Sequence, residues 1–315
     1  MKKLLDSIGE ELEFCDRHDF ETLIVDDCTP GGQEMLDNFK EKYPWAIFFR
    51  NCKNEGPAFS RNFGVEKSSK KWIWFLDSDV YLAKGSIRSM LALLSEHPNY
   101  FCFVSGVGPN SVSNKSFQKY KNYIEYSWQP PDGKTCTVDS KSFLIMKAIF
   151  KQVGGFQSKF NLPNVEDYDL GYKLLEKNIP IYFTHRVKIY HHHPCFFKQF
   201  KLFFQRSRDW MKLKSIYGYF SDDFGTTKSE ALLQLVNIGI LSNVFFVFIS
   251  PYFLIILTIL LMVSMLLNRK VLWIMIKKKE SLLFFVRFFL YSLILAIPVC
   301  LGALVGLAQN IKNSL

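Results

Sequence analysis

Thirty-six consecutive residues, "LLQLVNIGILSNVFFVFISPYFLIILTILLMVSMLL" from Leu232 to Leu267, carry no charged side chain. A membrane-crossing helix needs only about 20 such residues, so this stretch is long enough for one tilted span or for two short ones broken at Ser250-Pro251. A second apolar block, residues 282–308, holds the single charge Arg287 near its start. The two blocks are separated by Arg269, Lys270, Lys277, Lys278 and Lys279. Short positive loops favour the cytoplasmic side, which suggests two crossings or a re-entrant hairpin before this loop. A region of two to three spans is expected over residues 232–308.

The rest of the chain is mixed in charge and apolarity, as water-exposed domains are. The formal charge of +10 concentrates beside the apolar tail and in residues 196–215. No zinc-finger, RRM-like or helix-turn-helix spacing accompanies it, so attraction to anionic membrane lipid is expected and nucleic acid is not. The seven cysteines are scattered and contain no C-x-x-C pair, which argues against a disulfide framework or a zinc site. They read as reduced cytosolic thiols. The beginning, "MKKLLDSIGEELEFC", is too acidic and interrupted for a signal peptide. The expected location is the inner (plasma) membrane, multi-pass, with the domain before residue 231 in the cytoplasm.

Residues 20–97 alternate β-prone apolar runs with helical patterns: strands at 20–27, 45–51 and 72–79, helices at 32–43, 57–68 and 84–97. Such alternation predicts crossover units building an α/β fold, a mostly parallel, Rossmann-like sheet with helices on both faces. Ligands bind outside the carboxyl ends of the strands in sheets of this kind. Asp26 and Asp27 end one strand and Asp77 and Asp79 another, so both pairs are expected at one rim. Beyond residue 98 the reading gives strands in "YFCFVSGVG" and "TVDSKSFLIM", a short helix in "KAIFKQVGGF", and a helix in "VEDYDLGYKLLEKNIP" that stops at Asn178 and Pro180. The acids of this last helix lie in its first turn, where the helix dipole favours them.

Asp77-Ser78-Asp79 places two carboxylates one residue apart on a turn after a stiff apolar strand. Such a pair can hold a hard divalent cation whose coordination is completed by substrate phosphates. The same triplet also suits an ordinary solvated turn. An aspartyl-nucleophile phosphatase motif is disfavoured, because Tyr81 stands where a Thr or Val is needed. "HHH" at 191–193 invites a zinc reading, yet three adjacent residues on an extended chain cannot all point at one ion.

The segments "VDDCTPGG" (25–32), "NEGPAFSRNFG" (54–64), "WFLDSD" (74–79), "VGGF" (153–156) and "EDYDLGYKLLEKNIPIYFTHRVKIYHHHP" (166–194) stand in this order. In that ordered set the chain resembles the family 2 glycosyltransferases, inverting enzymes of the GT-A fold that use nucleotide-diphospho-sugars. The resemblance covers residues 4 to about 200 and implies the following roles. Asp27, with Asp26 beside it, matches the acid that contacts the nucleotide base. Asn54 and Arg61 fall in the segment lining the nucleotide pocket. Asp77 and Asp79 match the D-x-D that holds Mn²⁺ or Mg²⁺ against the diphosphate, Asp77 also facing the nucleotide-sugar, and His191 is a candidate further ligand. Glu166-Asp167 matches the pair that supplies the base for the acceptor hydroxyl, with Asp167 preferred and Glu166 as the substitute.

"FFKQFKLFFQRSRDWMKLK" (196–214) recurs at helical spacing, with Lys198, Lys201, Arg208 and Lys212 sharing a face, and reads as a basic helix in the membrane interface. Within it "QRSRDW" resembles the Q-x-x-R-W of processive synthases, which would give Gln205, Arg208 and Trp210 acceptor or phosphate contacts. Asp209 interrupts the match.

The expected organisation is a GT-A domain at 1–195, a basic amphipathic helix and linker at 196–231, and the membrane region at 232–308. The family's usual first strand, of the type "v-s-V-I-I-P-x-Y-N", has no counterpart, and the chain opens in what reads as the following helix. That would leave backbone edges unpaired inside the sheet, at about 1–3 kcal/mol per buried unsatisfied group, and a truncated start is the favoured explanation. The expected activity is transfer of a sugar from a nucleotide-diphospho-sugar to a lipid-linked or polysaccharide acceptor in cell-surface glycan biosynthesis. A catalytically impaired relative serving a glycan-assembly complex and a polyprenyl-phosphate sugar transferase are the alternatives.

Overall fold

The computed structural model describes residues 1–157, 165–218 and 223–314. The chain forms two compact units, one of Met1–Gly108 and Pro130–His191, the other of Pro109–Gln129 and His192–Leu315.

The first unit is an α/β domain. It opens with α1 (Lys2–Leu12), then β1 (Thr22–Asp26), α2 (Gly32–Lys42), β2 (Ala46–Arg50), α3 (Pro57–Lys67), β3 (Trp72–Leu76), β4 (Val80–Leu82), α4 (Ser86–Glu96) and β5 (Cys102–Val107). The next helix, α5 (Ser116–Trp128), belongs to the second unit. The first unit resumes with β6 (Gly133–Thr135), β7 (Ser142–Met146), α6 (Lys147–Gln152), α7 (Glu166–Glu176) and β8 (Ile181–His191). The punctuation residues act as their chemistry requires. Gly154 and Gly155 take φ of +81° and +61° after α6, and Asn178 takes φ +56° after α7, just before Pro180.

Strands β1 and β2 pair in parallel as a two-stranded sheet, and the other six form a sheet in the order β3-β7-β5-β8-β4, with β6 also on β8. Within the larger sheet β5 and β8 are parallel, while β7 runs antiparallel between β3 and β5. The expected parallel crossovers thus hold for β1–β2 and β5–β8. The antiparallel partners are β7, which runs against both β3 and β5, and β8, which runs against β4 and β6. The core is densest at β5, buried at all six positions, with Phe103, Phe143, Ile145 and Phe183 fully enclosed.

Among the described residues, β1 pairs only with β2 and β3 only with β7. Four of the five β3 residues are half-buried, unlike those of β5. The beginnings of β1 and β3 are nevertheless fastened together by Glu21, whose carboxylate accepts from Ser69 N at 2.7 Å, from Ser69 Oγ at 3.0 Å and from Ser68 Oγ. Helix α1 covers this side: Leu5 is buried with Ile24, Tyr43 and Ala46, and the Glu11 carboxylate caps α4 by accepting from Gly85 N at 2.6 Å and Ile87 N at 3.0 Å.

The second unit is helical: α5, α8 (Phe196–Tyr217), α9 (Lys228–Phe246), α10 (Tyr252–Leu267), α11 (Arg269–Lys277) and α12 (Leu282–Ser314). Among the described residues two helices, α9 and α12, are long and apolar enough to cross a membrane, or three if α10 and α11, bent by 68°, count as one span. The break at Ser250-Pro251 falls where the sequence places it. The positive segment after residue 268, read as a loop, is helix α11. Its Val271, Ile274 and Met275 are spaced to form one face and are buried with Tyr123 and Ile124 of α5 and Phe288 of α12.

Helix α8 runs parallel to α12. An added Cβ on Gly302 would lie 2.2 Å from the Phe204 carbonyl oxygen and one on Gly306 2.5 Å from that of Arg208, while Asn310 Nδ2 donates to Met211 O at 2.7 Å. This is small-residue packing of the kind that lets two helix backbones touch.

Candidate active site

The site is assembled at the carboxyl ends of β1 and β3 and at the first turns of α3 and α7. Asp27, just beyond β1, holds the loop that leads into α3. Its Oδ1 accepts from Asn51 Nδ2 at 2.8 Å and Glu55 N at 2.9 Å, and its Oδ2 accepts from Gly56 N at 2.7 Å. Burial pushes this carboxyl up, but the donors from Glu55, Asn51, Gly56 and Ser60 outweigh it and bring it below its ordinary value. Asp26 faces the other way. It is 8% exposed, pairs with Arg50 at 2.8 Å, and accepts from Thr29 N at 3.2 Å to close the turn after β1. Gly32 permits this arrangement, because a Cβ there would sit 2.3 Å from Arg50 Nη1. Asn54 is exposed on the loop that Asp27 organises.

One turn into α3, Arg61 reaches two acids from distant parts of the chain. Its Nη2 lies 2.7 Å from Asp77 Oδ1 and its Nη1 2.9 Å from Glu166 Oε1. Burial opposes the guanidinium charge, but Asp77 and Glu166 more than compensate and raise its pKa above the ordinary value. Glu166, the first residue of α7, is 2% exposed. Asp167 beside it is half-buried and accepts from Tyr168 N at 2.9 Å, so of the two acids it is the more open to a substrate.

Asp79 lies beyond β3 with its side chain 49% exposed, and its Oδ2 is 3.6 Å from His191 Nε2 at the end of β8. The β4–β8 ladder, in which Val80 registers with His191, creates this meeting. Burial raises the Asp79 carboxyl, but the hydrogen bond and charge of His191 outweigh that and lower it overall. Carboxylate oxygens at Asp77 and Asp79 with one imidazole are a donor set that suits Mn²⁺ or Mg²⁺. The Asp77 side chain is 31% exposed, and only its Oδ1 is held by Arg61. By donor type these residues match a hard divalent cation.

The structure brings Arg61, Asp77 and Glu166 into contact, and likewise Asp79 with His191. Gln205, Arg208 and Trp210 are on α8 in the helical unit, where Arg208 Nε pairs with the neighbouring Asp209 at 2.8 Å. Two residues that the sequence reading passes over brace the site. Asn62 exchanges two hydrogen bonds with the backbone of Phe156, at 2.8 and 3.0 Å, and the Phe156 ring lies 5.3 Å from the Arg61 guanidinium. Both sit inside quoted motifs, "RNFG" and "VGGF", but 94 residues apart, and spacing alone does not join them.

Residues 1–154 match the family model "Glycosyl transferase family 2". An uncharacterized glycosyltransferase of Haemophilus influenzae is 26% identical over 181 residues, 55% of this chain and 57% of that protein. The poly(ribitol-phosphate) beta-N-acetylglucosaminyltransferase TarS of Staphylococcus aureus is 25% identical over 120 residues, 37% of this chain and 21% of TarS. The chain thus spans less than two thirds of the length of these relatives. In fold it resembles the mannosyltransferase PcManGT of Pyrobaculum calidifontis, solved with GDP-Man and Mn²⁺, with a TM-score of 0.55 at 13% identity over 99% of this chain and 83% of that one. The family match over residues 1–154 makes that part of the chain a family 2 glycosyltransferase domain.

Proposed function

We propose that this protein is a membrane-attached, metal-dependent inverting glycosyltransferase that moves a sugar from a nucleotide-diphospho-sugar to a glycan or lipid-linked acceptor in cell-envelope polysaccharide assembly. The observation that carries the reading is the convergence of Asp79 with His191 at 3.6 Å beside an Asp77 oriented by Arg61. Asp77, Asp79 and His191 would hold Mn²⁺ or Mg²⁺. When bound, such an ion neutralises charge on the departing nucleoside diphosphate. Asp27, Asn54 and the start of α3 line the nucleotide side of the same rim. Asp167, the more open acid of the α7 turn, takes the proton of the acceptor hydroxyl as it attacks, and a single displacement needs just one such base. The TarS and PcManGT likenesses support an envelope acceptor and a nucleotide-sugar donor. The apolar helices α9 and α12 support attachment to the membrane, and the multi-pass, cytoplasm-facing arrangement belongs to this proposal.

Titration calorimetry of the full chain in detergent with UDP and with GDP, each with and without Mn²⁺, tests this. Metal-dependent binding of one nucleotide is expected, lost in Asp79→Ala. Asp167→Asn is expected to keep that binding and to lower sugar transfer by about 10²–10⁴-fold, the usual worth of a positioned base. Full transfer by either variant overturns the assigned roles. Among the described residues β1 pairs only with β2 and β3 only with β7, and these open edges favour one second reading, a catalytically impaired partner in a glycan-assembly complex. Absence of any metal-dependent nucleotide binding supports that reading instead.

A further inference from the structure

Arg61 does more than line a pocket. Its planar fork joins two carboxylates that are 16 and 105 residues away in sequence. Both distances, 2.7 and 2.9 Å, lie in the range of charge-assisted hydrogen bonds. The guanidinium is itself immobilised, since its side chain is only 15% exposed and it rests on the ring of Phe156, whose backbone is held in both directions by Asn62. Three sides of the arginine are therefore fixed by α3, by the segment after α6 and by the two acids.

The fork takes one oxygen from each carboxylate. Asp77 keeps Oδ2 for the rim it shares with Asp79. Glu166 keeps Oε2, which is buried and has no hydrogen-bond partner among the described residues, so the only polar contact orienting the Glu166 carboxylate is Arg61. Asp167 is the next residue of the same helical turn, and its place follows from that of Glu166. Groups that orient a metal-facing carboxylate from behind set the ligand geometry as firmly as the ligands do.

We propose that Arg61 is a positioning residue that couples the cation-facing acid Asp77 to the α7 turn carrying Asp167, so that the donor and acceptor halves of the site keep one fixed separation. The proposal rests on the functional reading above for the roles of the two halves. Lysine cannot replace arginine here, because a single ammonium lacks the rigid two-pronged fork that reaches both acids.

Two measurements test it. The first needs no ligand: the thermal midpoint of the full chain in detergent for Asp77→Asn, Glu166→Gln and the pair, each in the native and in the Arg61→Met background. With Arg61 present each single variant is expected to lower the midpoint, because each removes one charge-assisted hydrogen bond to the guanidinium, and the double variant is expected to lower it furthest, because the cation is left without either partner. In the Arg61→Met background the two acids only repel, so each single variant is expected to leave the midpoint unchanged or to raise it. A cost of Asp77→Asn or Glu166→Gln as large in the Arg61→Met background as in the native one overturns the proposal whether or not nucleotides bind. The second compares Arg61→Lys with the native chain in calorimetry with Mn²⁺ plus UDP or GDP and in sugar transfer. A variant that keeps its thermal midpoint within a few degrees is expected to lose about 10–100-fold in metal-dependent nucleotide affinity or in kcat. Native affinity and native kcat in that variant leave Arg61 a structural ion pair and overturn the proposal. If the native chain binds neither nucleotide, the functional reading fails, and the thermal cycle still decides whether Arg61 couples the acids.

Discussion

Asp27 accepts hydrogen bonds on both carboxylate oxygens from one short loop, so its chemistry at this site begins with holding the loop of residues 51–56 in shape. Asp27→Asn turns an amide donor toward one of the backbone N–H groups and is expected to cost about 1–3 kcal/mol of stability, measured as the drop in thermal midpoint of the full chain. The pH dependence follows from the lowered carboxyl. A group whose folded pKa lies below its unfolded one adds stability that is complete above the unfolded value of 3.8 and is lost as the pH falls through the lower folded value. The difference in midpoint between native chain and Asp27→Asn is therefore expected to be constant near neutrality and to shrink in acid below pH 3.8. A difference that grows on acidification contradicts this account. The acids themselves were legible in the sequence as strand-end pairs. Their division of labour was not, since Asp26 and Asp27 are chain neighbours that point to different partners, Arg50 and the 51–56 loop, and only the turn after β1 decides which faces which.

At the scale of elements, α1 to α4 and β1 to β3 fall where periodicity and Gly, Pro and Asn punctuation put them, because each is a local choice of the backbone. Helix α11 escaped, since its five cationic neighbours mask a face of Val271, Ile274 and Met275 that becomes meaningful only once α5 is there to cover it. Helix α8 shows the same limit. Its basic and apolar stripes read as an interfacial helix, yet the contacts that define it within its unit are to the Gly302 and Gly306 face of α12. Gly306→Leu is expected to be among the most disruptive changes in the helical unit. Its Cβ alone would meet the Arg208 carbonyl oxygen at 2.5 Å, backbone that has no rotamer to yield, and overpacking of this kind costs about 1–3 kcal/mol or more. A lowered thermal midpoint together with faster hydrogen exchange along 204–211 is the expected signature. A midpoint unchanged from the native chain argues that α8 and α12 are not in backbone contact.

For the whole molecule, the apolar exposure of the helical unit has a direct consequence. Phe248 is 89% exposed, Ile249 73% and Leu282 81%, and large side chains of this kind find their favourable surroundings in lipid rather than water. The protein is expected to stay in the membrane pellet through an alkaline carbonate wash and to need detergent for release. Extraction by carbonate alone would mean that α9 and α12 do not span. What the sequence by itself determined is whatever depends on neighbours along the chain: strand and helix periodicity, the apolar length needed to cross a bilayer, and the acids that end stiff strands. What only the tertiary structure decided depends on partners far apart in the chain. A single arginine fork selects Asp77 and Glu166, a β-ladder carries His191 to Asp79, and two glycines bring α12 onto α8. The physical reason is range. Backbone sterics and hydrophobic period act over a few residues and are written locally, whereas hydrogen bonds and ion pairs act over about 3 Å in space and take their partners from wherever the fold brings them.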